Sequence, residues 1–265
     1  PPAKQTPALP DLPGTPRWAL LVREGYLAAR KIPLWWMDNR LAPSGELGAW
    51  VCDDVDMVQE WTPFPLIEDE PLGAGIRSTA VKLGESTAVH LKEGLNRRPM
   101  DPLHAYEEGM SHFSLCSWWF YGDPVYFERI MTSARSVPKL MVVGGDGKRH
   151  FHGKMVGATD LEKMGPIDVD GPDHPLLLHP VYEVAWYNRN PAALQTLTEW
   201  ADTWIDYQKI GEWATSIDVK TGRVLTKHRD IPGIGGYRSQ GYAWLAAYTV
   251  TGDEGSFRTF YEVPA

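Results

Sequence analysis

One local pattern, repeated three times, constrains this chain more than any other. The segments WWFYGDPVYFERI (118–130), AWYNRNPAALQTL (185–197) and AAYTVTGDEGSF (246–257) each run an aromatic helix end into Gly or Asn and then into Asp, Asn or Pro. Gly and Asn tolerate the left-handed backbone that ends a helix, and Asp-Pro or Asn-Pro caps and opens the next one. Each segment therefore predicts a helical hairpin turn, near Gly122, Arg189 and Gly252. These turns lie roughly 65 residues apart, the spacing of helix pairs joined by an elaborated loop.

Apolar positions at helical spacing support this. They recur at Trp18, Leu21, Val22, Tyr26 and Ala29, through a stretch from His104 to Tyr121, and at Leu194, Leu197, Trp200, Ala201, Trp204 and Ile205. Strand signals are short: Lys139 to Val143 before GGDG, and Thr215 to Val219 with Arg223 to Thr226 around the turn residues 220–222. The expectation is a mainly α domain over 17–265 with small β decorations. A proline-rich segment, 1–16, reads as a linker or N-terminal extension.

The formal charge of −8 excludes a general binder of phosphate backbones, which needs a basic stripe, so no nucleic-acid partner is expected. No stretch approaches the roughly 18 apolar residues of a membrane span. Cys52 and Cys116 carry no metal-ligand spacing and read as packed thiols. A disulfide between them stays open, and so does the compartment, with secreted and periplasmic locations among the options.

Twelve tryptophans stand against seven phenylalanines. Indole faces match the C–H faces of pyranose rings and leave the N–H for a hydroxyl; the competing reading is that the tryptophans fill the core.

Three regions carry candidate chemistry. In SGELGAWVCDDVDMVQEW (44–61), Glu46 and Trp50 precede Asp53, Asp54 and Asp56 at the mouth of a helix. Helix capping accounts for one or two of these acids; the alternatives are an acid/base pair for glycosidic cleavage or a calcium ion held by clustered oxygens. In HAYEEGMSHFSLCSWWFYGD (104–123), Tyr106, Gly109, His112 and Phe113 share one face of a helix, which would aim Tyr106 and His112 into one cleft or into the core. The run 144–180 is the least periodic and reads as a long loop bearing Arg149, His150, His152, Asp168, Asp170, Asp173 and His174. Its acids lack the full EF-hand pattern, and Asp173-His174 before LLLHPVYEVAW also fits a helix cap.

At GELGAWVCDDVDM and DVDGPDHPLLLHPVYEVAWYNRNP the chain resembles the α/α-toroid superfamily of glycan-degrading enzymes, glycoside hydrolases and polysaccharide lyases alike. The resemblance covers about 17–260 and is one of style. A complete toroid uses more helices than this chain offers, so it implies an incomplete toroid. It also implies a polysaccharide or oligosaccharide substrate and no required cofactor, with a calcium ion as an option.

For a hydrolase the acids to test are Asp53, Asp54 and Asp56, with Asp168 or Asp170 as partner. A uronate lyase would use Tyr106, His112, His152 and Arg149 to remove a proton, neutralise charge and protonate the leaving group. Glu46, Trp50, Trp119, Arg149, Asp168, Asp170, His174 and Tyr237 are the candidate substrate contacts. A carbohydrate-binding or helical interaction module would use the same aromatics without turnover. One further expectation is that Glu46, Trp50 and at least one of the three Asp residues share a concave surface with part of the 144–174 loop.

Overall fold

The computed structural model describes residues 13–48, 54–67, 70–158, 168–208, 213–228 and 238–257. Trp50, Cys52, Asp53 and Tyr237 lie outside the described residues. The chain is mainly helical with small sheets.

The first half comprises α1 (Arg17–Asn39), α2 (Asp54–Glu60), α3 (Pro63–Leu66), α4 (Leu72–Ala88) and a hairpin of β1 (Leu91–Lys92) and β2 (Leu95–Asn96). After α5 (Pro102–Ala105) comes a π-helical turn, Tyr106–Met110, and then α6 (Ser111–Trp119) and α7 (Pro124–Ser136). The strands β3 (Met141–Val143), β4 (Arg149–Phe151) and β5 (Val169–Asp170) lead to a 3-10 turn, His174–Leu178. The chain ends in α8 (His179–Asn188), α9 (Pro191–Ile205), β6 (Trp213–Asp218), β7 (Arg223–His228) and α10 (Arg238–Thr251).

The first two turns join helices as expected, with Arg189 rather than Gly or Asn in the left-handed conformation at the second, and after Gly252 the described residues continue as a 3-10 turn, Glu254–Phe257. Gly122, Arg189 and Gly252 all take positive φ (86°, 56° and 73°). Asp123 caps α7 through Val125 N–H, and Asn190 caps α9 through the N–H groups of Ala192 and Ala193. Helices α6 to α10 consequently pack each on its neighbour in sequence, and α8 touches α6, α7, α9 and α10.

Two apolar cores result. Val55, Val58, Ile76, Leu83, Cys116 and Tyr126 knit α2, α4, α6 and α7, while Ile130, Val181, Leu197, Trp200, Trp204 and Trp244 knit the C-terminal helices. Trp200 packs 6.2 Å from Trp204 and 5.8 Å from Trp244, ring centre to ring centre. Truncating any of these three would cost about 3–5 kcal/mol. With Trp61 and Trp213 they make five core tryptophans, whereas Trp18, Trp35, Trp118 and Trp186 are exposed.

Three sequence expectations need correction. The strand expected from Lys139 begins only at Met141, because Val137–Leu140, with Pro138, turns as a 3-10 helix. The run 144–180 contains β4, β5, a 3-10 turn and the start of α8, so the expectation of a long loop fails over its described part. Its GGDG turn is fixed by contact rather than left free. Gly145 N–H donates to Val219 O, and a Cβ on Gly145 would stand 1.8 Å from Lys220 O, on the turn between the antiparallel strands β6 and β7. Finally, the helix expected from His104 to Tyr121 runs unbroken to Trp119 but is not uniformly α, its turn Tyr106–Met110 being π-helical.

Candidate functional site

Tyr106 and His112 meet different neighbours. His112 is fully buried and its Nε2 lies 2.7 Å from Ala80 O on α4, so the ring donates there and stays neutral, its pKa lowered to about 4 by burial. Cys116 Sγ is 3.4 Å from the same nitrogen, but burial pushes this free thiol up to about 12, which denies it a reactive thiolate. His112 is thus packed between α4 and α6, away from any cleft.

Tyr106 turns instead toward α8. Its hydroxyl lies 3.2 Å from His179 Nδ1 with ring centres 4.6 Å apart, and His179 stacks on Tyr242 of α10 at 4.0 Å. Tyr182 meets Tyr242 edge-on at 5.7 Å. One turn along α8, Glu183 accepts a hydrogen bond from Trp118 Nε1 at 3.2 Å, and Trp118 stacks on Trp186 at 5.2 Å. His179, Tyr182, Glu183 and Trp186 are spaced i, i+3, i+4 and i+7, so one face of α8 presents them all. The sequence does not announce this face because Leu176 to Ala185 reads as apolar; the polar and aromatic residues at helical spacing inside it are the available signal.

The electrostatics of this face are unusual. Glu183 is only 6% exposed, and burial raises its carboxyl to about 7 against the opposing effect of the Trp118 N–H. The Trp118 bond is its one hydrogen bond among the described residues. Burial, then the carboxylates of Asp56, Glu107 and Glu183, hold the Tyr106 hydroxyl far above its ordinary value. Burial depresses the half-buried His179, so it is neutral. Tyr106, Tyr182 and Tyr242 are likewise half-buried, and Trp118 and Trp186 are 45% and 39% exposed.

A second polar cluster lies between β4, β5 and α9. Asp170, completely buried, lies 3.2 Å from His150 Nδ1 and 2.9 Å from His174 Nδ1 and accepts from Trp204 Nε1 at 3.1 Å. His150 Nε2 lies 3.1 Å from Asp146, which also accepts from Tyr207, and His174 Nε2 donates to Gly153 O. Burial would raise Asp170, but the two histidines outweigh it and hold the carboxyl below its usual range. Burial would likewise lower His150, but Asp170 and Asp146 raise it. Every oxygen of Asp170 is engaged, which removes it as a hydrolytic partner or calcium ligand.

The other sequence candidates fall in separate places. Asp54 is buried and accepts from Leu47 N–H at 2.7 Å, fixing the glycine loop, while Glu46 accepts from Ser44 and Ser86. Both lie beside the first core, and Trp50 and Asp53, the other residues of the expected composite surface, lie outside the described residues. Asp56, also on α2, acts electrostatically on the Tyr106 hydroxyl beside the α8 face. Arg149 is held by Glu199 and Pro138 O. His152 is buried, lowered chiefly by burial, and makes no hydrogen bond among the described residues; Asp168 Oδ1 is likewise unpartnered among them. Trp119 packs into the first core; its neighbour Trp118 is the exposed one.

Among the described residues no group of three or more His, Cys, Asp or Glu is placed to hold a metal ion. No helix among them is long and apolar enough to cross a membrane. A cleft of about 340 Å³ opens between the β1–β2 hairpin and α7, lined by Glu93, Glu128, Arg129 and Thr132 among others, and includes none of the α8 face. In comparisons with known proteins, no family model matches the chain, and neither does any curated sequence.

Proposed function

We propose that this chain is a polysaccharide- or oligosaccharide-degrading enzyme of α/α-toroid type that cleaves glycosidic bonds by carboxylate acid/base hydrolysis at the α8 face. The observation that carries the reading is Glu183: a buried carboxyl raised to about 7, tied to the N–H of an exposed, stacked tryptophan. A carboxyl that stays protonated near neutrality is what a general acid requires, and an indole face beside it is what a sugar ring stacks on. Glu183 gives its proton to the glycosidic oxygen as the anomeric C–O bond breaks. Asp56, the sequence-predicted acid that acts on Tyr106 of this face, takes the proton of the attacking water. The sequential packing of α6 to α10 supports the toroid arrangement.

A second reading, β-elimination from a uronate polymer, is favoured by one contact, Tyr106 Oη to His179 Nδ1 at 3.2 Å. Digestion of a glycan panel decides between them. New reducing ends that disappear in Glu183→Gln support hydrolysis; the ultraviolet absorbance of an unsaturated uronate, lost in Tyr106→Phe, supports elimination. Binding without any product identifies a carbohydrate-binding module.

A further inference from the structure

Helix α1 carries an apolar surface on the side turned away from the body of the protein. Tyr26, Leu34 and Met37 pack its inner face against the first core, and Arg30 and Pro33 are buried on that same face. On the opposite face Trp18, Leu21, Gly25, Ala28, Ile32 and Trp35 are all exposed, the two tryptophans by 69% and 50%. Their spacing alternates three and four residues without a break, which is the pattern of a two-helix seam. Gly25 sits in mid-helix, where glycine weakens the helix, yet a Cβ there would meet nothing within 4 Å among the described residues. Its own chain does not require a glycine at this position; a second helix crossing closely would.

From this stripe and the charges that flank it we infer that α1 is a dimerisation helix, pairing antiparallel with α1 of a second copy of this chain about a two-fold axis. The stripe is complementary to its own reversal. With the axis midway between Tyr26 and Leu27, Trp18 meets the partner's Trp35, Leu21 the partner's Ile32 and Gly25 the partner's Ala28, so small residues fall where the helices cross. Arg17, Glu24, Lys31 and Asp38 run along one edge of the seam and are exposed. In the same register Arg17 faces the partner's Asp38 and Glu24 the partner's Lys31, and the two-fold axis repeats both opposite-charge pairs. A parallel pairing would set these charges against Val22, Ala29 and Trp36 and lose the match. Because the inner face of α1 lies opposite the seam, the two bodies end on opposite sides of the helix pair. The inference is independent of the glycan-cleaving reading.

Sedimentation velocity on the full chain reads the association directly. A monomer–dimer equilibrium with a Kd of about 10 μM or tighter is expected. Ile32→Asp should weaken it by at least about a hundredfold, because each copy then buries a carboxylate in the seam. Ile32 is exposed in the single chain, so the melting temperature of dilute protein should not change. Glu24→Lys and Lys31→Glu should each weaken the dimer by at least about fivefold, since either reversal sets like charges opposite. In an equal mixture the two variants should recover close to the parent affinity as a heterodimer, because every Lys then faces a Glu; only the antiparallel register does this. A chain that stays monomeric to about 100 μM overturns the inference, as does a dimer that Ile32→Asp leaves intact. Loss of the dimer in Ile32→Asp without rescue in the mixture overturns the antiparallel register. Monomers that co-sediment with phosphatidylcholine vesicles, and cease to in Ile32→Asp, would assign the stripe to a lipid surface instead.

Discussion

Asp170 and Glu183 are both buried acids in contact with an indole N–H, yet they end in opposite states. Asp170 lies against two histidines and one tryptophan and keeps its charge, whereas Glu183 has one tryptophan and remains protonated up to about 7. Desolvation acts on both; the number of partners decides which form survives. A fully engaged carboxylate has no capacity left for a substrate and serves to lock β4, β5 and α9 together. A carboxyl with one partner retains a proton to give.

The largest effect expected from this comparison is catalytic. Glu183→Gln keeps the shape and an acceptor oxygen for Trp118 but cannot deliver a proton, so glycan turnover should fall by about 10²- to 10⁴-fold with binding preserved. Asp170→Asn should do the reverse. Leaving buried histidines without their carboxylate costs about 3–5 kcal/mol in denaturant titration. Any loss of turnover should follow the folded fraction alone. Exchanged phenotypes, with Asp170→Asn inactive but stable, would assign the chemistry to the wrong cluster.

Part of this arrangement was legible in the sequence. The turns at Gly122-Asp123-Pro124 and Arg189-Asn190-Pro191 were, because left-handed caps and N-caps are decided by a few adjacent residues. The partners of α8 were not: Tyr106 lies 73 residues from His179 and Trp118 lies 65 from Glu183. Tyr106 and His112, six residues apart, lie about 120° apart around a regular helix, so helical spacing does not pair them. The three acids at 53, 54 and 56 looked alike in sequence, but a hydrogen bond from Leu47 N–H commits Asp54 to the loop while Asp56 acts electrostatically on Tyr106.

The next effect is the pH dependence of stability, where the two acids again oppose. Glu183, raised from 4.5 to about 7, makes the fold lose stability as pH climbs from 4.5 to 7, on the order of 3 kcal/mol, and Glu183→Gln should flatten that slope. Asp170 is depressed, so its contribution is complete above 3.8 and is lost as pH falls through its lower folded value. His150 is raised, so its contribution is complete below 6.5 and is lost as pH climbs through its higher folded value. Chemical denaturation across this range, on the parent and on Glu183→Gln, separates the two contributions. A parent curve with no decline between 4.5 and 7 would show that Glu183 is not held neutral.

The smallest effect isolates the partner count itself, by removing a single N–H from each acid. In Trp118→Phe the aromatic face over Trp186 remains while Glu183 loses its donor. That bond favours the charged carboxyl, so its loss should raise the Glu183 pKa and carry the alkaline limb of kcat/KM to higher pH. A hydrogen bond contributes about 0.5–1.5 kcal/mol, so the limb should move by about one pH unit or less. The partly exposed position of Trp118 predicts little change in melting temperature. Trp204→Phe makes the same deletion at Asp170 inside the core, where two histidines still face the carboxylate. There the pH profile of turnover should stay in place, and stability should fall by about 1–3 kcal/mol for the lost bond and the smaller ring. A limb that shifts to lower pH in Trp118→Phe would mean that water now reaches Glu183 through the gap. Exclusion by the indole ring, rather than the shortage of donors, would then be what keeps the carboxyl neutral.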